Sequence, residues 1–405
     1  MPNSTKISEI RVVGSQRFQS HELAPVTGLK IGDTGDDAAL KQAADNLAES
    51  GMFSNVTYSY ISSPDGTRVK FEVLDTEKLL PIHVDNFVWL SSAELLNELQ
   101  KREPLFRGGA PNAGEMYTKL ADDMTAILND MHISGTVRAF PQAPSGGGDV
   151  TGFLYSVSGV NLPVRNVEFP GASADMTSVL QKIAATTLID TNYSRSKVNA
   201  NAQFDFLPQY QMRGFLKAAF GDPVVQLQDR STGAVTVQVP VKEGLQYKLS
   251  AVQWAENMVF SNNDLSKPLR CKPGQALNQL QLEEDLGGIS KIYGTRGYME
   301  AHLVPKFTFD DAAQTVNTEI DVHEGDQYHI GEVQFAGMTE SAAAPLRKLW
   351  KLHPGDPYDS SYPPFFLTQA AMNFDLSHMK ISVDERPRRE TKTVDVTFHF
   401  TKAGS

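Results

Sequence analysis

Few residues of this 405-residue chain are spaced for chemistry. Nine histidines are scattered, with no His-Glu-x-x-His pattern or other metal-ligand spacing to frame a zinc site. Cys271 is the only cysteine, which excludes an internal disulfide and any Cys-x-x-Cys pair and leaves the redox compartment open. No Gly-x-Ser-x-Gly elbow and no phosphate-binding loop occurs. Gly146-Gly147-Gly148 lacks a following Lys-Ser/Thr and reads as a flexible hairpin tip. Glu283-Glu284-Asp285 groups three carboxylates, but at the expected start of a helix they suit the helix dipole better than acid–base catalysis. Trp89, Trp254 and Trp350 are candidates for a binding surface. Trp254 sits at a strand position equivalent to Phe335, so core packing is the better reading. No catalytic residue, cofactor or metal is expected, and the chain reads as a non-enzyme.

The bulk properties point the same way. A chain this long exceeds one hydrophobic core, so two or more domains are expected. With 40% hydrophobic and 21% charged residues it is ordinary globular protein. Its net charge of −11 suits neither nucleic acid nor anionic lipid, which need basic patches. The one short basic run, Arg386-Pro387-Arg388-Arg389, is flanked by acids and reads as a solvated turn. The first twenty residues hold no apolar core of signal-peptide length, so an exported form would have lost its signal. No apolar run approaches the ~18 residues that span a membrane.

What positions the remaining residues is a repeat. Glu243-Gly244-Leu245-Gln246-Tyr247 leads into Val252-Gln253-Trp254, and Glu324-Gly325-Asp326-Gln327-Tyr328 leads into Val333-Gln334-Phe335, always 81 residues apart (328 − 247, 335 − 254). Ile10, Val167 and Val333 are each followed four residues later by a glycine: Gly14, Gly171 and Gly337. Ile10, Val252 and Val333 are each followed 22 residues later by another: Gly32, Gly274 and Gly355. A glycine there predicts a tight turn with positive φ between two helices. Beyond it come helical stripes: Leu40-Ala44-Leu47-Gly51, Tyr117-Leu120-Met124-Ile127-Met131 and Leu282-Leu286-Ile289-Tyr293. Then follow β-rich pairs of runs, such as 56–61 and 69–73 around Pro64-Asp65-Gly66. Runs 234–239 and 393–400 read as closing strands. Each unit is strand, helix, turn, helix, hairpin, and boundaries fall near 76–81, 160–163, 243–246 and 324–327.

This unit resembles the POTRA family. The most specific stretch is 286–298, Leu286-Gly287-Gly288-Ile289 through Arg296-Gly297-Tyr298, where a second helix ends and a Gly-aromatic pair begins the next strand. Ser50-Gly51-Met52-Phe53 and Arg213-Gly214-Phe215 match the same feature. Arg213-Gly214-Phe215 is also similar to a motif of the family's barrel lid loop, but its alignment with Arg296-Gly297-Tyr298 places it in the repeat. Two departures stand out: Met131-His132-Ile133 replaces the Gly-aromatic pair in the second repeat, and the fifth is irregular at Tyr362-Pro363-Pro364.

The resemblance covers nearly all of residues 7–402. It implies an α+β fold of five tandem βααββ POTRA modules, each a three-stranded mixed sheet covered by two antiparallel helices. The expected spans are 5–77, 78–160, 161–244, 245–325 and 326–402, folding separately. Five repeats are similar to the periplasmic part of BamA-like outer-membrane assembly factors. Two-partner secretion transporters and the translocation and assembly module carry fewer. The implied partners are unfolded outer-membrane β-barrel proteins, periplasmic chaperones and assembly lipoproteins, with no nucleic acid. The implied location is the periplasm, anchored through a C-terminal barrel absent from this chain, which stops at Ser405. A dedicated secretion or lipid-handling paralogue is the alternative, and a hidden enzyme domain is a third reading that the repeat leaves no room for.

An exposed sheet edge offers unpaired N–H and C=O groups to an extended client. The family's sheet order implies that the first hairpin strand is such an edge. The candidates are Val56-Thr57-Tyr58, Leu216-Lys217-Ala218-Ala219 continuing through Val224-Val225, and Ala301-His302-Leu303. The third repeat is favoured, because its run promises the longest edge, with Pro223 marking a bulge.

Overall fold

The structure, a computed structural model, describes residues 6–402; the expected start at residue 5 lies outside them. The first repeat comprises β1 (Ile7–Val13), α1 (Ser20–Leu23), α2 (Asp37–Glu49), β2 (Phe53–Ser63) and β3 (Gly66–Asp75). The second has β4 (Leu80–Val84), α3 (Ser92–Arg102), β5 (Gly109–Ala110), α4 (Met116–Asp130), β6 (Thr136–Gln142) and β7 (Gly152–Ser158). The third has β8 (Val164–Glu168), α5 (Ala174–Thr187), α6 (Arg195–Asn201), a π turn at 202–206, α7 (Leu207–Gln211), β9 (Ala219–Phe220), β10 (Val224–Asp229), β11 (Ala234–Gln238) and β12 (Val241–Lys242). The fourth has β13 (Lys248–Ala255), α8 (Asn262–Ser266), α9 (Gln279–Gly294), β14 (His302–Asp310) and β15 (Thr315–His323). The fifth has β16 (His329–Ala336), α10 (Glu340–Leu349), α11 (Tyr362–Asn373), β17 (Met379–Arg388) and β18 (Thr393–Lys402).

The fold is α+β, with small mixed sheets ordered β1-β3-β2, β5-β4-β7-β6, β10-β11-β8, β13-β15-β14 and β16-β18-β17. In each the last long strand is central, parallel to the first and antiparallel to its hairpin partner. The second sheet has four strands, not three, because β5 adds to the outer side of β4. The apolar stripes face inward as their spacing predicts: Leu40, Ala44 and Leu47 on α2, and Leu282, Leu286, Ile289 and Tyr293 on α9, are buried. Gly51 lies past the end of α2, not on its stripe. Pro363 and Pro364 explain the irregular fifth repeat. They open α11, where a missing N–H leaves nothing unpaired.

The turn between the helices is the repeat's most faithful element. Gly32, Gly274 and Gly355 all have positive φ, at 96°, 86° and 93°. Their N–H groups donate to the carbonyls of Ile7, Leu249 and Ile330 at 2.8–2.9 Å, tying the turn to the start of the first strand. In the third repeat Asp190 takes this place, with φ of 59° and its N–H on the carbonyl of Val164 at 2.9 Å. Aspartate tolerates the left-handed region better than most residues, so the turn needs no glycine there.

Separate folding is not what the first two repeats show. Their buried side chains, from Ile7 to Val157, form one continuous core. The fourth and fifth repeats keep distinct cores, one around Tyr247, Ile289 and Ile320 and the other around Tyr328, Phe366 and Phe398. The chain divides into two compact units, residues up to 203 with 221–240, and 204–220 with residues from 241 onward. That division runs through the expected third span instead of its end near 243–246.

Candidate functional site: strand edges and repeat joints

The strand before the last in each sheet lies at a free edge, and these edges are not equivalent. β6, β14 and β17 carry Pro141, Pro305 and Pro387, and charges including Arg138, Lys306 and Asp384. Proline and charge are how natural edges resist pairing. β2 has neither over its 11 residues, and β10 has no proline and a charge only at its end, Asp229. Among the described residues β2 pairs only with β3, and Ile61 on it is 72% exposed. The opposite edges, at β1, β8, β13 and β16, are closed at their starts by the interhelical turn.

Val56, Thr57 and Tyr58 lie within β2. His302 and Leu303 lie on β14, with Ala301 just before it and buried. The third-repeat edge differs from expectation. Leu216 and Lys217 are in a turn, Ala218 is irregular, and Ala219 belongs to a two-stranded ribbon with Val241–Lys242. Gly221-Asp222-Pro223 interrupts the run instead of bulging it, since proline lacks an N–H and restricts the residue before it. What remains at the edge is β10, with Val224 and Val225; its six residues make it the shortest of these edges, not the longest.

Lys217 is drawn into a joint instead. Its Nζ donates to Asp311 Oδ1 at 2.8 Å and lies 4.5 Å from the Phe309 ring. This bond is the main reason that the Asp311 carboxyl sits below the ordinary aspartate range. Around it the duplicated Glu-Gly-x-Gln-Tyr motif closes on the end of the preceding helix. Tyr210 Oη donates to Glu243 (2.9 Å), Gln246 Nε2 to the Arg213 carbonyl (2.8 Å), and the Tyr247 N–H to the Gly214 carbonyl (2.8 Å). In the next joint, with the helix-end residues 83 positions on (293 − 210) and the motif residues 81 positions on (324 − 243), the same bonds join Tyr293 to Glu324 (3.0 Å), Gln327 to Arg296 (3.0 Å) and Tyr328 to Gly297 (2.8 Å). Glu324 Oε1 also accepts the N–H groups of Met258 and Val259, each at 2.8 Å. Burial first, then the glutamate partner, pushes the Tyr210 and Tyr293 hydroxyls above the ordinary tyrosine range, so both remain donors.

The position of Lys217 becomes Glu300 in the second joint, and the turn position of Asp311 becomes Arg389; these two also pair, at 2.9 Å. The charge pair is thus kept with its signs exchanged. The tyrosines were recoverable from sequence, because Tyr210 and Tyr293 each precede the aligned Arg-Gly by three residues. The charge exchange was not, because Asp311 and Arg389 follow hairpin strands of different placement.

The carboxylate trio is structural, though not at a helix start. α9 begins at Gln279, and Asp285 accepts the Arg270 N–H (2.8 Å) and Nε (2.6 Å). Trp254 is half-buried against the fourth core and donates to Ser266 Oγ (2.8 Å). Among the described residues no group of His, Cys, Asp and Glu is arranged to hold a metal ion, and no helix is long and apolar enough to cross a membrane.

A sequence model of the POTRA family, described as a surface antigen variable number repeat, matches residues 5–74 and 247–325. An outer membrane protein assembly factor of Treponema pallidum (strain Nichols) is 26% identical over 260 residues, 62% of this chain and 30% of that protein. The outer membrane protein assembly factor BamA of Neisseria meningitidis serogroup B is 25% identical over 254 residues, 58% of this chain and 31% of that protein. The chain therefore spans about a third of the length of the curated relatives it matches. The crystal structure of Haemophilus influenzae BamA POTRA3-5 is 22% identical, with a TM-score of 0.45, over 60% of this chain and 96% of that one. Residues 5–74 and 247–325 thus match the POTRA family, the βααββ order recurs in the repeats between and after them, and the chain is similar to outer membrane protein assembly factors of the BamA type.

Proposed function

We propose that this array is a non-enzymatic periplasmic scaffold, built of repeats bounded near 77, 160, 244 and 325. It receives unfolded outer-membrane β-barrel proteins by strand addition and passes them to a membrane barrel beyond Ser405. Periplasmic chaperones and assembly lipoproteins are the other partners of this reading. The observation that carries it is the edge of β2: 11 residues, uncharged, free of proline and, among the described residues, unpaired on its outer side. Backbone pairing there needs no particular client sequence, which suits a receiver of many different strands. β10 is the second, shorter receiving edge.

The test places proline in turn at Thr57 and Tyr58. Adjacent N–H groups point to opposite sides of a strand, so one of the two substitutions removes an outward donor and spares the pairing to β3. That variant is expected to lower cross-linking of an extended client peptide at least tenfold while the β3 amides stay protected. Unchanged cross-linking in both variants removes this edge from the function.

A further inference from the structure

The first compact unit holds a cleft that strand pairing does not use. It has a volume of about 190 Å³ and lies between β4, α3 and the start of α6, with Val225 of β10 at its rim. Its apolar wall is Phe87, Leu90, Leu95 and Leu99, and Leu96 beside them is 37% exposed. Its polar wall is Tyr193 and Arg195. Tyr193 is 2% exposed and its hydroxyl lies beside Arg195, yet among the described residues neither that hydroxyl nor the buried Nε of Arg195 makes a hydrogen bond of good geometry. Buried donors without partners are uncommon in native proteins, and each leaves a desolvation penalty that a bound acceptor relieves.

The charges constrain that acceptor. Asp85 also lines the cleft, and its Oδ1 is held by Ser194 Oγ (3.1 Å) and the Ser196 N–H (2.8 Å). A fixed carboxylate lining the same cleft as Arg195 leaves no net positive charge to draw in an anion, so a neutral carbonyl is the matching group. The volume suits a single large side chain, since an apolar cavity of about 150 Å³ accommodates benzene. We propose that this cleft is an anchor pocket for one aromatic or large aliphatic residue of a client polypeptide. The residue's backbone carbonyl accepts hydrogen bonds from Tyr193 Oη and Arg195 Nε.

The polypeptide is chosen as occupant because of Val225. It pairs with Val237 and lies on the open edge strand β10. A strand added to β10 puts every second side chain on the face of Val225, about 5 Å from it. The anchor thus supplies the specificity that backbone pairing lacks, and this part rests on the strand-addition reading.

The test titrates the whole chain with N-acetyl-phenylalanine N-methylamide and follows amide signals by NMR. Shifts are expected at residues 82–99 and 193–195. The alanine analogue and the free acid N-acetyl-phenylalanine are expected to bind at least tenfold more weakly. Tyr193→Phe is expected to weaken binding about fivefold, and Leu96→Glu, at a part-exposed position, at least tenfold. No shift at the cleft overturns the proposal and leaves it a water-filled gap. Equal binding of the alanine analogue overturns the anchor, and tighter binding of the free acid overturns the neutral acceptor. A longer peptide separates the two readings. Cleft shifts without β10 shifts refute strand addition at this edge and leave the anchor standing; β10 shifts without cleft shifts do the reverse.

Discussion

The first two repeats and the last two are joined by different physics. Repeats one and two share one apolar core, and their backbones touch: a Cβ on Gly51 would lie 1.8 Å from the Ala113 carbonyl oxygen. Repeats four and five keep separate cores and are clamped by tyrosine, glutamine and backbone bonds around Glu324. An apolar interface is non-directional and ties the stabilities of two modules together. A set of hydrogen bonds is directional and sets an orientation while leaving each core to stand by itself. The difference predicts one cooperative unfolding unit at the first joint and two coupled units at the last.

The largest test of that contrast is Gly51→Ala. Its φ of 72° and the backbone contact combine left-handed strain with overpacking, for a loss of about 3 kcal/mol. Hydrogen exchange should show repeats one and two losing protection together. If repeat two keeps its protection, the shared core is not one folding unit.

Glu324→Ala comes next. It strips an acceptor from Tyr293 Oη and two backbone N–H groups, at about 2 kcal/mol. Denaturation of the fourth and fifth repeats should separate into two transitions, each core remaining native in turn. A single transition displaced as a whole would erase the distinction between the joints.

Tyr293→Phe should cost about 1 kcal/mol and also change the pH profile. A tyrosine whose folded pKa is raised stabilises the fold fully below its unfolded value of about 10, and that stabilisation is lost as pH rises toward the folded value. Wild-type stability should therefore decline above about pH 10, more shallowly in the variant. Equal alkaline slopes would show that the hydroxyl does not hold the clamp.

The smallest effect belongs to the exchanged charges. Lys217→Glu should loosen its joint slightly, and adding Asp311→Lys should restore it, since the second joint holds the same positions with reversed signs. Exposed pairs contribute little, so a double-mutant cycle in low salt is the suitable measurement. Zero coupling would reduce the exchange to coincidence.

Much of the repeat was legible because it rests on local rules. Period and patterning placed Leu282, Leu286 and Ile289 inside, and a glycine spacing located the turns at Gly32, Gly274 and Gly355. At Asp190 the glycine spacing carries no signal, because a second residue type satisfies the same backbone demand.

Sequence by itself determined the α+β repeat and, through its family resemblance, implied the strand order. Only the tertiary structure decided which edges stay open, that Lys217 leaves a strand for a joint, that two cores merge into one, and that Tyr193 and Arg195 meet the leucines of α3. Local patterning specifies which face of an element is apolar. Which neighbour covers that face depends on contacts between residues some hundred positions apart, such as Asp85 with Ser194, and no local period carries that information.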